Sequence, residues 1–347
     1  MRILLGFILL LALGSYDNHP EALKAGKHVP TFVYHRFDDS RFPSTNISNE
    51  HFEAHLKYLS NNGYRALTFA EAQTYLQSQV KAEKVVCLTV DDGFKSFLEN
   101  GLPLLQKYDM KATVFVNTET VGSSDYMSWD ELKALTDAGI EIGNHSHSHA
   151  YYLNDTSATR NASFAADLQK SQSLFEQNLG FEPVSFAYPY GEFDEQMEQV
   201  VIETGFESAA IQSSGVMYTG MNRFQSPRFP MSDRYGKIGS FIEKVNMLPL
   251  EQVTVETIAT GYNGSEDNPR VIFRFPENGL QIESVQCFVQ GNRCTKSIRI
   301  DRDGTAQLTV KSKELLKYRR SLYTITIPDN QGRWHWYSYT WVIPSKK

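Results

Sequence analysis

Two carboxylates and a cluster of histidines are the residues of this chain best suited to do chemistry. Thr89-Val90-Asp91-Asp92-Gly93 sets both carboxylates directly after an apolar run, Lys84 to Val90, with a glycine behind them that allows a tight turn. Acidic residues there stand at the C-terminal end of a buried strand, where α/β sheets and barrels assemble their sites. Taken alone, the run also reads as a solvated Asp-Asp-Gly turn closing a strand. Asn144-His145-Ser146-His147-Ser148-His149 follows the short strand Glu141 to Gly143 and holds three of the nine histidines. His145 and His149, four apart, can converge on one ion, because neutral imidazoles are good ligands for zinc and similar metals; His147 then points elsewhere. Taken alone, this run reads equally as a polar, His-rich loop. Together the two runs say more. One Asp and two His make a three-ligand metal site with a position open for water, as catalytic zinc requires, and the second Asp is left free to act as a base.

These residues need a scaffold that brings strand ends together. From residue 30 to about 250, short apolar runs alternate with helix-like segments, the pattern of an α/β domain with a largely parallel sheet. Strands are expected at Thr31 to Tyr34, Lys84 to Val90, Ala112 to Asn117, Glu141 to Gly143, Val184 to Tyr188 and Ser208 to Ile211. Between them, Phe52, Leu56 and Leu59 fall at helical spacing, and Thr68 to Glu71 and Ser128 to Glu131 each fit a capping box. Phe186-Ala187-Tyr188-Pro189-Tyr190-Gly191 closes another strand; its aromatic rings can wall a groove and a backbone N–H of its turn can face a developing oxyanion. After Leu248-Pro249-Leu250 the texture changes to short alternating runs, among them Gln252 to Thr260, Ile282 to Val289 and Trp336 to Ile343. Separated by Gly, Asn, Asp and Pro turns, they read as a small antiparallel, immunoglobulin-like sandwich over 251–347.

At this point the chain resembles the polysaccharide deacetylases with a NodB homology domain, carbohydrate esterase family 4. The family's T-F-D-D-G motif is matched by Thr89 to Gly93 with Val90 in the second place, and its H-[ST]-x-x-H by His145, Ser146 and His149. The resemblance spans roughly residues 28–250 and implies an irregular (β/α) barrel with its site at the strand C-termini. It implies that Asp91 is the general base, that Asp92, His145 and His149 bind one divalent metal, and that the Tyr190 N–H serves the oxyanion. Zinc is the expected ion, with cobalt, nickel and iron as alternatives. A nearer resemblance, carried by Tyr34-His35-Arg36-Phe37 and by Phe186 to Gly191, is to the branch that acts on poly-β-1,6-N-acetylglucosamine. The implied reaction is metal-dependent hydrolysis of N-acetyl groups on an acetylated amino-sugar polysaccharide, with release of acetate; biofilm, peptidoglycan and chitin-like polymers share the motifs. Two departures stand out. Where the family has an Arg that orients the catalytic Asp, this chain has Ala187, and Arg228 reads either as the replacement, supplied from the next loop, or as an ordinary surface Arg. The family's late L-x-H, whose His is the general acid, has no match, and His35 is the expected substitute.

Composition narrows the alternatives. With 34 basic against 40 acidic side chains, net −6, the chain lacks the basic excess of a nucleic-acid binder. Met1-Arg2 followed by the apolar run Ile3 to Leu13 reads as a signal peptide over 1–15. An uncleaved anchor is the one route to a membrane, so a periplasmic, extracellular or envelope location is expected. Cys87 reads as a buried thiol, and Cys287 and Cys294 flank a Gly turn as a hairpin pair that is either bonded or free. A glycoside hydrolase needs two separated carboxyls and no metal, which adjacent Asp91 and Asp92 serve poorly. A non-catalytic carbohydrate-binding protein is the rival from another class, and the tryptophans Trp334, Trp336 and Trp341 could stack on sugars.

Overall fold

The computed structural model describes residues 26–258 and 268–344; the expected signal peptide lies outside the described residues. Six parallel strands form the main run of a nine-stranded sheet: β1 (His28–Tyr34), β2 (Val85–Asp91), β3 (Thr113–Val116), β4 (Glu141–Asn144), β5 (Ser185–Ala187) and β6 (Ser208–Ala210), paired in that order. Successive strands are joined through helices, among them α1 (Asn49–Asn61), α2 (Phe69–Gln77), α3 (Trp129–Asp137), α4 (Arg160–Leu179) and α5 (Glu195–Glu203). Both expected capping boxes are present, Thr68 with Glu71 and Ser128 with Glu131, each satisfying backbone N–H groups that a helix start leaves unpaired. The sheet curls until its edges meet. Ser226 bridges Ala210 at the end of β6, and three residues later β7 (Phe229–Pro230) pairs in parallel with β1 at Phe32 and Val33. The stretch 226–230 thus closes an irregular barrel.

Alternation along β2 explains how this barrel can be apolar outside and reactive within. Val86, Leu88 and Val90 pack into the cluster shared with Phe52, Leu56 and Leu59 of α1. Val85 and Cys87 belong to a different cluster with Phe115 and Ala187, and period-two geometry carries Thr89 and Asp91 to that same inner side. Cys87 is buried there as expected.

The C-terminal part is a β-sandwich. Leu248–Pro249 (β8) pairs with Trp334–Val342 (β15), which continues through Arg320–Pro328 (β14) to Gln286–Val289 (β11). The other sheet runs from Thr254–Ile258 (β9) through Arg270–Pro276 (β10) and Thr305–Ser312 (β13) to Asn292–Ile300 (β12). Val271, Phe273 and Phe275 from one sheet meet Tyr323, Ile325 and Ile327 from the other in one apolar core. The strand expected over Ile282 to Val289 is shorter than that. Residues Ile282–Ser284 form a 3₁₀ turn whose bonds, Ser284 N to Gln281 O and Val285 N to Ile282 O, replace ladder bonds.

Trp336 is half-buried and engaged with the barrel instead of standing free as a sugar platform. It packs edge-on to Phe229 at 5.4 Å and ties the sandwich to the closing stretch of the barrel. Cys287 and Cys294 are disulfide-bonded across the β11–β12 hairpin, with Gln290 and Gly291 both left-handed (φ 51° and 77°), as a two-residue hairpin turn demands. Changing both cysteines to Ser releases a crosslink over a sequence separation of 7. The chain-entropy relation gives a loss of about 2 kcal/mol. Urea unfolding of the pair variant, against native protein with and without reductant, measures it. Among the described residues no helix is long and apolar enough to cross a membrane.

Candidate active site

Every residue singled out for chemistry lies at the same end of the barrel. Asp91 is the last residue of β2 and Asp92 follows it in the left-handed region (φ 76°); His145 follows β4 directly, and His149 is also left-handed (φ 51°). Non-glycine residues hold such backbone angles only where their surroundings over-determine them, and functional sites are where they gather. The histidine loop is over-determined. Asn144 accepts from the Ser146 N–H at 2.7 Å, Ser146 Oγ accepts from the His149 N–H at 3.0 Å, and Asp167 of α4 accepts from the N–H groups of His147 and Ser148. His147 turns away, its Nδ1 bonded to Thr118 Oγ1 at 2.8 Å.

The result is a three-ligand arrangement. Asp92 Oδ1 lies 3.6 Å from His145 Nε2 and 3.5 Å from His149 Nε2, and the two Nε2 atoms are 3.2 Å apart. Zinc bonds of about 2.0–2.2 Å in a tetrahedron put ligand atoms about 3.3–3.5 Å from each other, so the three side chains fit a divalent ion. Their chemistry fits as well. His145 Nδ1 faces the Ala187 carbonyl at 2.7 Å, and donating there leaves Nε2 with its lone pair towards the site. Burial pushes His145 below its ordinary range against the opposing charge of Asp91 and the bond to the Ala187 carbonyl; His149 is held down at about 3, by burial and then by His145. Both imidazoles are therefore neutral, as ligands must be. Asp92 is pushed up to about 7, by burial first and by Asp91 second, a penalty that a bound dication removes.

Asp91 is held differently. Its carboxylate, 2% exposed, receives two bonds from Arg228, Nη1 to Oδ1 at 2.6 Å and Nη2 to Oδ2 at 2.9 Å. Arg228 is fully buried; it also donates to Thr89 Oγ1 at 3.0 Å and from Nε to the Ile211 carbonyl at 3.1 Å. Burial alone would raise the Asp91 carboxyl, but the charges of Arg228, His145 and His35 and the Arg228 hydrogen bonds overcome it and hold it at about 2. Arg228 stands in the barrel-closing stretch, so the guanidinium reaches Asp91 from across the ring.

Tyr190 occupies the turn after β5, with φ 59° and Gly191 at 69°. The N–H of Tyr190 meets no protein acceptor among the described residues. Gly191 has no freedom to change: a Cβ there would come within 2.3 Å of both the Gln212 backbone N and its Cβ. Gly191→Ala pushes this turn out of place, and a misplacement of about 1 Å can cost about 100-fold in rate. Steady-state turnover beside a zinc titration checks it, with turnover falling by that order and zinc binding unchanged. The Tyr190 ring stacks on Tyr151 with centroids 3.7 Å apart, and edge-on to His149 at 4.4 Å. Asp91, Asp92, His145, His149, His35 and Tyr190 all line one open cleft of about 410 Å³. Burial lowers His35 to about 4 against the opposing charge of Asp91, with Arg228, His149 and Arg320 adding to the fall.

Four contributors were not visible in the residue pattern. Asp167 and Gln172, which bonds Asn144 at 2.8 Å, belong to α4 and carry no local signal. Gln212 and Arg320 line the cleft from a loop and from the sandwich.

Comparison with known proteins agrees with this architecture. The family model described as polysaccharide deacetylase matches residues 78–209, a span that includes Asp91, Asp92, His145, His149 and Tyr190. Bacillus subtilis YxkH is 28% identical over 220 residues, 62% of this chain and 77% of the relative. The poly-β-1,6-N-acetyl-D-glucosamine N-deacetylase of Staphylococcus aureus is 27% identical over 221 residues, 61% of this chain and 76% of the relative. The solved structure of the Streptococcus pyogenes deacetylase PplD, in complex with acetate, superposes with TM-score 0.58 at 20% identity, covering 63% of this chain and 99% of that one, a likeness of fold. The middle of the chain thus resembles polysaccharide deacetylases, which points to a hydrolase of carbon–nitrogen bonds in N-acetyl groups.

Proposed function

We propose that this protein removes N-acetyl groups from an N-acetylhexosamine-containing polysaccharide by metal-dependent hydrolysis, releasing acetate. The observation that supports this most directly is the Asp92, His145 and His149 triad set beside an Asp91 carboxylate held by Arg228. A divalent ion held by the triad, zinc first with cobalt, nickel or iron as alternatives, supplies a Lewis acid and lowers the pKa of water in the cleft. Asp91, ionised and oriented by Arg228, takes a proton as water attacks the acetamide carbonyl. The Tyr190 N–H points at the charge that develops on the carbonyl oxygen, and one such donor is worth about 3–4 kcal/mol. His35 delivers a proton to the departing sugar nitrogen. Since it is neutral at rest, it receives that proton from Asp91, which took it from the attacking water. The polymer left behind carries amines that are cationic at neutral pH.

The substrate reading favours β-1,6-linked N-acetylglucosamine, on the strength of the Staphylococcus aureus relative. Export to the periplasm, cell envelope or exterior is supported by the apolar run after Met1-Arg2 and by the Cys287–Cys294 disulfide, which persists in an oxidising compartment. Acetate release from β-1,6- and β-1,4-linked oligomers tests the whole reading, measured before chelation, after it, and after zinc or cobalt is restored. The expected result is release that disappears with chelator and returns with metal. Release indifferent to chelator would exclude the metal mechanism, and folded, metal-loaded protein that releases none would point to a carbohydrate-binding role.

A further inference from the structure

Arg319 and Arg320 stand where the sandwich strand β14 begins, well beyond the residues 78–209 that match the family model. Both reach back to the Tyr190 turn. Arg319 grips Glu192 in a two-bond pair, Nε to Oε1 at 2.8 Å and Nη2 to Oε2 at 2.6 Å, on a carboxylate only 3% exposed. Its guanidinium also lies 4.3 Å over the ring of Tyr151, the ring on which Tyr190 stacks. Arg320 Nη1 donates to the carbonyl oxygen of Tyr190 itself and to Gln212 Oε1 at 2.5 Å, the residue that presses on Gly191. Its Nε is 3.9 Å from Glu192. The two arginines therefore engage the turn's carbonyl, the carboxylate behind it, the aromatic beneath it and the wall beside it.

The base of this clamp is firmly seated on the barrel. Trp336 packs on Phe229, the Leu250 N–H donates to the Trp336 carbonyl at 3.2 Å, and Ser213 and Thr340 bond through their hydroxyls at 2.5 Å. A left-handed tyrosine in the turn has to be held there by its surroundings, and a large part of those surroundings comes from the sandwich.

We propose that the C-terminal sandwich completes the active site. Arg320, supported by Arg319, is a positioning residue: it holds the Tyr190 turn so that the backbone donor meets the oxyanion. The role rests on the deacetylase reading above. It predicts a barrel that depends for turnover on its sandwich, although the sandwich supplies neither base nor ligand.

The test uses the full chain, with two independent readouts. In acetate release, Arg320→Ala lowers kcat by about 10- to 100-fold and leaves KM within about threefold, since the loss falls on transition-state geometry. Zinc affinity is unchanged, and Arg320→Lys, which keeps one donor for the Tyr190 carbonyl, recovers part of the rate. In hydrogen exchange, the amides of Gly191 and Glu192, which donate to Tyr188 and Pro189 carbonyls, lose protection in Arg320→Ala while β2 and β4 do not. Faster exchange there in a chain that releases no acetate at all would retain the clamp and sink the deacetylase reading. Normal kcat and normal exchange in an active chain would overturn the clamp, as would a rise in KM alone. If the alanine variant does not fold, Arg320→Lys alone decides: slower turnover with faster exchange supports the clamp, and no change in either rejects it.

Discussion

Asp91→Asn loses about 10²–10⁴-fold in kcat, the range expected when a general base is removed, while zinc still loads on Asp92, His145 and His149. The substitution has a second cost that is separable from the first. Arg228 is fully buried, and the amide leaves its guanidinium without a counter-ion. Removing one partner of a buried pair typically costs about 3–5 kcal/mol. Adding Arg228→Met removes the stranded charge, so the double variant regains much of the stability and none of the activity. Urea unfolding and turnover of the two single variants and the double variant separate the contributions, because the residues are in contact and their effects are not additive. A double variant as slow as Asp91→Asn and more stable is the expected pattern; recovered turnover would remove Asp91 from its role as base.

Arg228→Met alone changes the pH dependence, and its sign can be worked out. In the native protein the Asp91 carboxyl sits at about 2, below its ordinary value, because Arg228 is the largest of the groups opposing the effect of burial. A depressed carboxyl contributes stability that is complete above the unfolded value of about 3.9 and is lost as pH falls through the folded one. Without Arg228, burial wins and the folded value rises above the unfolded one. The variant is then destabilised at neutral pH and loses that penalty on acidification, opposite to native protein. The acid limb of its kcat/KM profile moves to higher pH, since the base must be ionised to act. Unfolding midpoints across about pH 2–9, which spans the folded and unfolded carboxyl values, and kcat/KM across about pH 4–9 read both changes. An acid limb that stays in place would mean that Arg228 does not set the ionisation of the base.

How much of this site is legible in the chain depends on how local each part is. Asp91, Asp92 and the histidine loop are readable because a strand end, a turn and a four-residue spacing are short-range features, and the structure brings one candidate ligand atom each from Asp92, His145 and His149 within 4.8 Å of one another. Arg228 is a harder case. Nothing around Ser226-Pro227-Arg228 announces a buried guanidinium; only the gap left by Ala187 points to it, and its reach to Asp91 depends on where the curled sheet closes. Arg320 is harder still, because its contact with Tyr190 is set by the docking of one layered unit on another. Trp336 illustrates the same limit: alternation along a strand marks a face but not what covers it. The turn at Ile282–Ser284 was hidden because its apolar residues suit a strand as well as a buried turn.

The stretch 226–230 joins the first and last strands of the ring and also carries the only guanidinium that reaches Asp91 among the described residues. Closure of the barrel and the aiming of Asp91 by Arg228 are consequently one event. A chain whose ring is still a ribbon has an Asp91 that no guanidinium orients. Orientation of the proposed base is thus a property of the closed ring and not of the strand that carries it.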